Sequence, residues 1–557
     1  MKMRNLVGIS AVSFCLLLTL GTSAQSKNKG NEANEKLRTT PKLVVGIVVD
    51  QMRYDYLTRF YDHFGKDGFK RLVEQGFNCK NNHFNYAPTS TGPGHTSIYT
   101  GTTPSVHGII GNDWYDKETD ADVYCASDAS YTSVGTTSDA GQMSPHRMTV
   151  TTITDELRLN TQMRGKTIAI ALKDRGAVLP GGHTANAAYW FHGADEGKWI
   201  TSSYYMNQLP KWVTEFNASG KVQSYKKGWN TLKDIKEYQE SGTDDNLYEG
   251  LLEGETTPVF PHSTAALLDK NKDFDIIKAT PYGNALTADF AIEALQQEGL
   301  GKDDITDFLA ISFSSTDYVG HKYGVNSKEV QDTYLRLDED LARFLKALDK
   351  NVGEGEYTVF LTADHAAVEV PTYLKDQRIP AGYVDNADTK KRFSEFLKYE
   401  YGSEDIVKDY SNAQLFLDHN IIKNLDLDLA KVEADIAREF LKYDAVDRVY
   451  TADQMLNYEY TSGIPYILQN GYNHKRSGDI LIVLKPGFIS YSTTGSTHGS
   501  PQIYDTHVPL LFYGKGIKPG STVARTEIPD IAPTLAALLG ISFPNGANGN
   551  PLTVVLE

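Results

Sequence analysis

Three aspartates and three histidines stand where apolar runs of this 557-residue chain give way to polar ones. Asp50 follows the run Leu43 to Val49. Asp317 and His321 follow Phe308 to Phe313, and Asp364-His365 follows Tyr357 to Thr362. His498, in Thr497-His498-Gly499, lies just before the run Val508 to Tyr513. Taken singly, an Asp at a strand end is usually a turn or cap residue, and a lone His is usually a hydrogen-bonded core residue. Together the six are a mixed nitrogen and oxygen donor set that suits zinc and other divalent ions. One catalytic zinc takes about three protein ligands and keeps an open position, so six donors match two ions.

A nucleophile is offered by Pro88-Thr89-Ser90-Thr91-Gly92-Pro93-Gly94-His95-Thr96-Ser97-Ile98. Hydroxyls are followed by turn residues and then by a helix start, whose free N–H groups favour an anion. The bland alternative is a Ser or Thr that only caps the helix. Spacing alone leaves Thr89, Ser90 and Thr91 open. Positive charge is offered by Lys173-Asp174-Arg175, after the short apolar run Thr167 to Leu172. Read alone, that tripeptide is a solvated turn.

The elements that must position these residues are strands and helices in alternation. The four apolar runs look like strands buried on both faces, as in parallel sheets. Between them lie amphipathic helices, the clearest from about 327 to 349, and a last one near 531–539 starts after Pro529-Asp530 and stops at Gly540. The pattern predicts an α/β core with a mostly parallel sheet, whose ligands sit at the carboxyl ends of the strands. Residues near 193–282 and 366–478 break this rhythm and read as insertions building the rim of the site, within one catalytic domain over 41–557. Residues 1–24 read as a secretory signal peptide cut after Ala24, with Lys2 and Arg4 ahead of a short apolar stretch, and 25–40 as a flexible lead-in. That predicts a periplasmic or secreted protein with no membrane span after cleavage; it leaves Cys79 and Cys125, whose pairing the sequence does not decide, and sets no oligomeric state.

Hydrophobic residues make up 40% of the chain and charged residues 23%, so it can bury a core and is not disordered. The formal charge of −16 becomes −18 without Lys2 and Arg4. Such a field repels nucleic acid as a partner, and it would repel a phosphorylated substrate unless the site supplies local positive charge.

Asp50, the PTSTGPGHTS segment, HGIIGNDWYD (107–116), STDYVGH (315–321), ADH (363–365), THGS (497–500) and PDIAPTLAALLGI (529–541) occur in order over nearly the whole mature chain. Together they resemble the alkaline phosphatase superfamily, most nearly its bacterial phosphate-irrepressible, PafA-type members with a threonine nucleophile. The resemblance implies a three-layer α/β fold and hydrolysis of small phosphate monoesters to inorganic phosphate. It implies that Thr91 is the nucleophile, a metal ligand and the site of a covalent phospho-threonine. It implies two Zn²⁺ ions. Asp317, His321 and His498 hold the ion that activates the leaving group or water, and Asp50, Asp364 and His365 hold the ion that activates Thr91. Asn112, Lys173 and Arg175 then face the phosphoryl oxygens. The phosphodiesterase and nucleotide pyrophosphatase branch shares the metal ligands, the threonine and an asparagine like Asn112. A monoester carries about two negative charges near neutral pH and a diester one, so the Lys-x-Arg pair favours the monoester. A catalytically dead phosphate- or metal-binding module is the rival from another class. A formylglycine sulfatase is excluded, because neither Cys79 nor Cys125 begins the Cys-x-Pro-x-Arg pattern. One departure is Ala366, where the superfamily often has Gly after Asp-His. The charge conflict resolves locally: two Zn²⁺ ions with Lys173 and Arg175 make a positive site inside an acidic protein.

Overall fold

The structure, a computed structural model, describes residues 40–557. The signal peptide expected over 1–24 and nearly all of the lead-in lie outside the described residues.

A ten-stranded sheet carries the molecule. Its strands in chain order are β1 (Leu43–Val49), β2 (Phe77–His83), β3 (Ser133–Val134), β4 (Thr167–Ala171), β5 (Ala187–His192), β6 (Lys198–Ser202), β7 (Asp307–Phe313), β8 (Tyr357–Thr362), β9 (Leu510–Gly514) and β10 (Gly520–Glu527). Across the sheet they run β10-β2-β9-β8-β1-β7-β4-β5-β6-β3. The five central strands β8, β1, β7, β4 and β5 are parallel. Every residue of β1, β4, β7 and β8 is buried, which is why these segments read as unbroken apolar runs. β9 has the same apolar character but pairs antiparallel with β8. Burial on both faces dictates composition and leaves direction unspecified, so the run could not announce its orientation.

The long helix Lys328–Asn351 starts where Ser327 accepts a hydrogen bond from the Val330 amide. Its buried stripe includes Val330, Tyr334, Leu337, Leu341, Phe344 and Leu348. Each buried Val, Leu or Phe of such a stripe stabilises by roughly 1.5–3 kcal/mol. The last helix spans Ile531–Leu539 and ends at Gly540 in the left-handed conformation.

The stretch 366–478 contains the helices Asn386–Tyr401 and Leu429–Phe440. They pack on a separate antiparallel sheet ordered Val407–Ser411, Gln414–Leu417, Ile480–Leu484, Val446–Thr451. This cap has its own apolar cluster, with Leu397, Ile406, Leu415, Ile436 and Ile480 inside it. The stretch 193–282 is mostly loops and short 3₁₀ turns, with β6 and the helix Lys211–Ala218 at its start.

Candidate active site at the carboxyl edge of the sheet

β1 lies between β7 and β8, with Val48 level with Ser312 on one side and Thr362 on the other. This register brings the ends of three strands to one edge. Asp50 is anchored there by its amide, which donates to Phe313 O at 3.0 Å. The segment after β7 forms the helix Ser315–Tyr323, and Asp317 and His321 share one face of it at i,i+4 spacing. Asp364-His365 follows β8 directly, and β4 delivers Lys173 to the same edge.

The three histidines are prepared alike. His321 Nδ1 donates to Ser496 O (2.7 Å), His498 Nδ1 to Thr89 O (2.7 Å) and His365 Nδ1 to Ala366 O (3.0 Å). A carbonyl only accepts, so each Nδ1 carries a proton and each ring is oriented with Nε2 toward the site. The Nε2 atoms face carboxylates. His321 Nε2 lies 3.1 Å from Asp317 Oδ1, and His365 Nε2 lies 3.5 Å from Asp50 Oδ1. Donor atoms of Asp317, His321 and His498 fall within 4.8 Å of one another, and so do those of Asp50, Asp317 and His365. Asp317 thus belongs to both trios. Asp364 stands beside the second trio, 3.7 Å from His365 Nε2, and its Oδ1 accepts the Gln51 amide at 3.1 Å.

The donor set fits divalent ions on its own terms. Asp50 Oδ1, Asp364 Oδ2 and His365 Nε2 are buried without a hydrogen-bond partner, an arrangement that is costly unless something binds there. Lys173 places its ammonium between two carboxylates, 2.6 Å from Asp50 Oδ2 and 2.5 Å from Asp317 Oδ2, where a positive charge is required. Burial alone would raise Asp317, yet His321 and Lys173 hold it well below the carboxylate range. Burial, with Asp50 alongside, pushes Asp364 well above it. Burial takes His365 down to about 4 and holds His498 far below its ordinary value; burial would lower His321 too, but Asp317 raises it.

The hydroxyl segment enters the helix Thr91–Thr100, with Ser90 extended at its N-cap. Thr89 Oγ1 is committed to Ser500 O at 3.2 Å, whereas Ser90 Oγ has no partner and Thr91 makes no side-chain hydrogen bond among the described residues. Asn112 Oδ1 accepts the Gly92 amide at 2.7 Å, which sets its carboxamide one residue from Thr91. Arg175 donates to the Tyr124 hydroxyl at 3.1 Å and keeps a buried Nε without a partner. Ala366 is buried and is not among the residues with positive φ, so its backbone path does not require glycine. Cys79 and Cys125 are both buried and free.

Two residues that the sequence reading passed over complete the arrangement. Gln51, at φ +62°, donates from Nε2 to Asp317 Oδ1 at 2.7 Å while its amide holds Asp364. A side chain at Gly320 would collide with the Gln51 carboxamide oxygen, which explains the glycine one residue before His321. His95 donates from Nδ1 to Thr91 O (2.9 Å), bonds Ser312 Oγ through Nε2 (2.9 Å) and lies 3.3 Å from Asp364. The only sequence signal was position: one follows Asp50, and the other sits in the hydroxyl segment.

Comparison with known proteins identifies the family and the fold. The type I phosphodiesterase / nucleotide pyrophosphatase family matches residues 44–508. The chain is 46% identical to "Alkaline phosphatase PafA" of Elizabethkingia meningoseptica, over 93% of this chain and 94% of that one. It is 43% identical to "Alkaline phosphatase PhoV" of Synechococcus elongatus, over 99% and 100%. A protein of Myroides odoratus carrying the name "Calcium-transporting ATPase" is 47% identical over 94% and 96%. The crystal structure of wild-type PafA superposes with a TM-score of 0.89 over 93% of this chain and 99% of that one, at 46% identity. A second PafA structure, with one threonine, one asparagine, one lysine and one arginine substituted, gives 0.88 at 45% identity.

Proposed function

The chain belongs to the type I phosphodiesterase / nucleotide pyrophosphatase family, among its PafA-like alkaline phosphatases, and from that premise we propose that it is an exported phosphate monoester hydrolase working through Thr91 and two zinc ions. The observation that carries the reading is the set of three histidines, each with Nδ1 fixed on a carbonyl and Nε2 turned toward buried carboxylates beside a helix that begins at Thr91. Bound zinc ions would supply Lewis acidity and positive charge at the carboxylate and imidazole donors named above.

In this reading the Thr91 oxygen attacks phosphorus in line with the leaving oxygen, forming the Oγ–P bond as the ester P–O bond breaks. Water then takes the phosphoryl group from Thr91, releasing inorganic phosphate and restoring the hydroxyl. Asn112, held by the Gly92 amide, keeps its NH₂ as a donor for a non-bridging oxygen. Arg175, with its unpaired Nε, and Lys173 add positive charge that a monoester dianion uses more fully than a diester. The same residue types, threonine, asparagine, lysine and arginine, are those replaced together in the PafA variant, which supports the assignment of Thr91 over Ser90.

Phenyl phosphate hydrolysis, measured beside its methyl diester, tests the class: the monoester is expected to be favoured, and a diester preference overturns the Lys173/Arg175 argument. Thr91→Ala should abolish monoester turnover, and full activity in that variant removes the nucleophile assignment. A chelator that strips metal without lowering turnover rejects the zinc assignment, and metal binding without turnover in the untreated protein favours the inactive module. Among the described residues no helix is long and apolar enough to cross a membrane.

A further inference from the structure

Two cavities meet the candidate site, and they differ in charge. One, of about 410 Å³, touches Ser90, Asn112 and His498 and is lined by the cap's Leu468, Leu481, Ile482 and Val483, with no Lys or Arg in its wall. The other, of about 890 Å³, opens on His321 and is lined by Lys270, Lys272, Lys278 and Lys322. Its wall holds two carboxylates, Glu253 and Asp275, and Asp275 already pairs with Lys278 at 2.7 Å. Lys322 is held on Leu251 O at 3.0 Å, while Lys270 and Lys272 have no acidic partner among the described residues. Four lysines against two acids leave a net positive wall, in a chain whose overall formal charge is −16. Tyr318 and Tyr491 also line the cavity, and the Tyr491 ring stands 5.6 Å from that of His321.

We propose that this cavity, resting on the phosphatase reading above, is a leaving-group subsite for substrates whose leaving group carries phosphate of its own, nucleoside polyphosphates above all. An orthophosphate group needs only a small part of 890 Å³, so the open groove leaves room for a larger leaving group. The lysines supply point charges to the remaining phosphates, and the two tyrosine rings offer a face for the base. With a nucleoside triphosphate the Thr91 hydroxyl gives up its proton to solvent and its oxygen bonds the terminal phosphorus. The bond from that phosphorus to the bridging oxygen breaks, and the nucleoside diphosphate leaves with the electron pair. Water then cleaves the phospho-threonine, so water and the triphosphate yield the diphosphate and orthophosphate with no other reactant. The apolar cavity beside Asn112 offers such a leaving group no cation.

The test is the ratio of kcat/KM for ATP to kcat/KM for phenyl phosphate, in the zinc-loaded protein. Lys270 and Lys272 are exposed, so the charge-reversed double variant Lys270→Glu/Lys272→Glu is expected to fold, and Lys272→Glu alone provides a second readout. The ratio should fall at least tenfold in the double variant, mostly through KM for ATP, and by a smaller factor in the single one. In the wild type it should also fall as salt is added, and this salt dependence should flatten in the double variant. An unchanged ratio in active enzyme overturns the subsite alone. A wild-type protein inert toward both substrates overturns the phosphatase reading, and the subsite with it.

Discussion

Histidine is buried among carboxylates in two regions of this molecule, with opposite outcomes. At the sheet edge, His321, His365 and His498 each fix Nδ1 on a backbone carbonyl and turn Nε2 toward carboxylates whose donor atoms gather in trios. In the stretch 193–282, His262 uses both: Nδ1 bonds Glu255 at 2.8 Å and Nε2 bonds Glu329, on the helix Lys328–Asn351, at 3.0 Å. Burial would lower His262, but Glu255 and Glu329 raise it to about 9, which favours a cation that ties this stretch to the long helix. A buried His–carboxylate cluster is therefore not in itself a metal site. What marks one is a backbone carbonyl on Nδ1 together with several donor atoms converging on Nε2, whereas His262 spends each nitrogen on a separate carboxylate.

The sharpest way to break this contrast is to remove the candidate ligand that both trios share. Asp317→Asn should cut monoester turnover by well over the roughly 10–100-fold typical of changes behind the ligands, with zinc content falling in parallel by mass spectrometry. His262→Gln should do the reverse. Breaking a buried ion pair costs roughly 3–5 kcal/mol, so the urea midpoint should drop while zinc content holds. If His262→Gln loses zinc and keeps its stability, the two clusters have been assigned the wrong way round. Gln51→Ala tests whether the residue that bonds both Asp317 and Asp364 positions them. Zinc affinity should fall roughly 10–100-fold, with the fold intact.

The smallest effect is a pH slope. The folded-state value of His262 lies above its ordinary 6.5, so its contribution is fully present below 6.5 and is lost as pH rises through about 9. Urea unfolding of the zinc-loaded protein should thus show stability declining toward pH 9.5, and His262→Gln should lose part of that decline.

The ends of β1, β7 and β8 were legible because strands buried on both faces must be apolar, and a polar residue at their end stands out. Asp317 and His321 were legible by i,i+4 spacing, and the start of the helix at Thr91 by its turn residues. The direction of β9 was not, since burial constrains both orientations alike. Nor was the landing of Lys173 between Asp50 and Asp317, because its partners lie 123 and 144 residues away in the chain. Gln51 escaped because its role depends on a backbone turn and on the missing side chain of Gly320, neither of which leaves a mark in composition. The cap hid its own sheet behind charged, helix-forming sequence.

The candidate ligands are drawn from Asp50 to His498, and the edge that holds them exists only once β1 has been inserted between β7 and β8. Such long-range strand pairing is slow to form, and no early fragment of the chain contains both histidines of the Asp317, His321, His498 trio. A chain cut anywhere before His498 therefore lacks one of the candidate donors, and the site can be completed only after most of the polypeptide has been made.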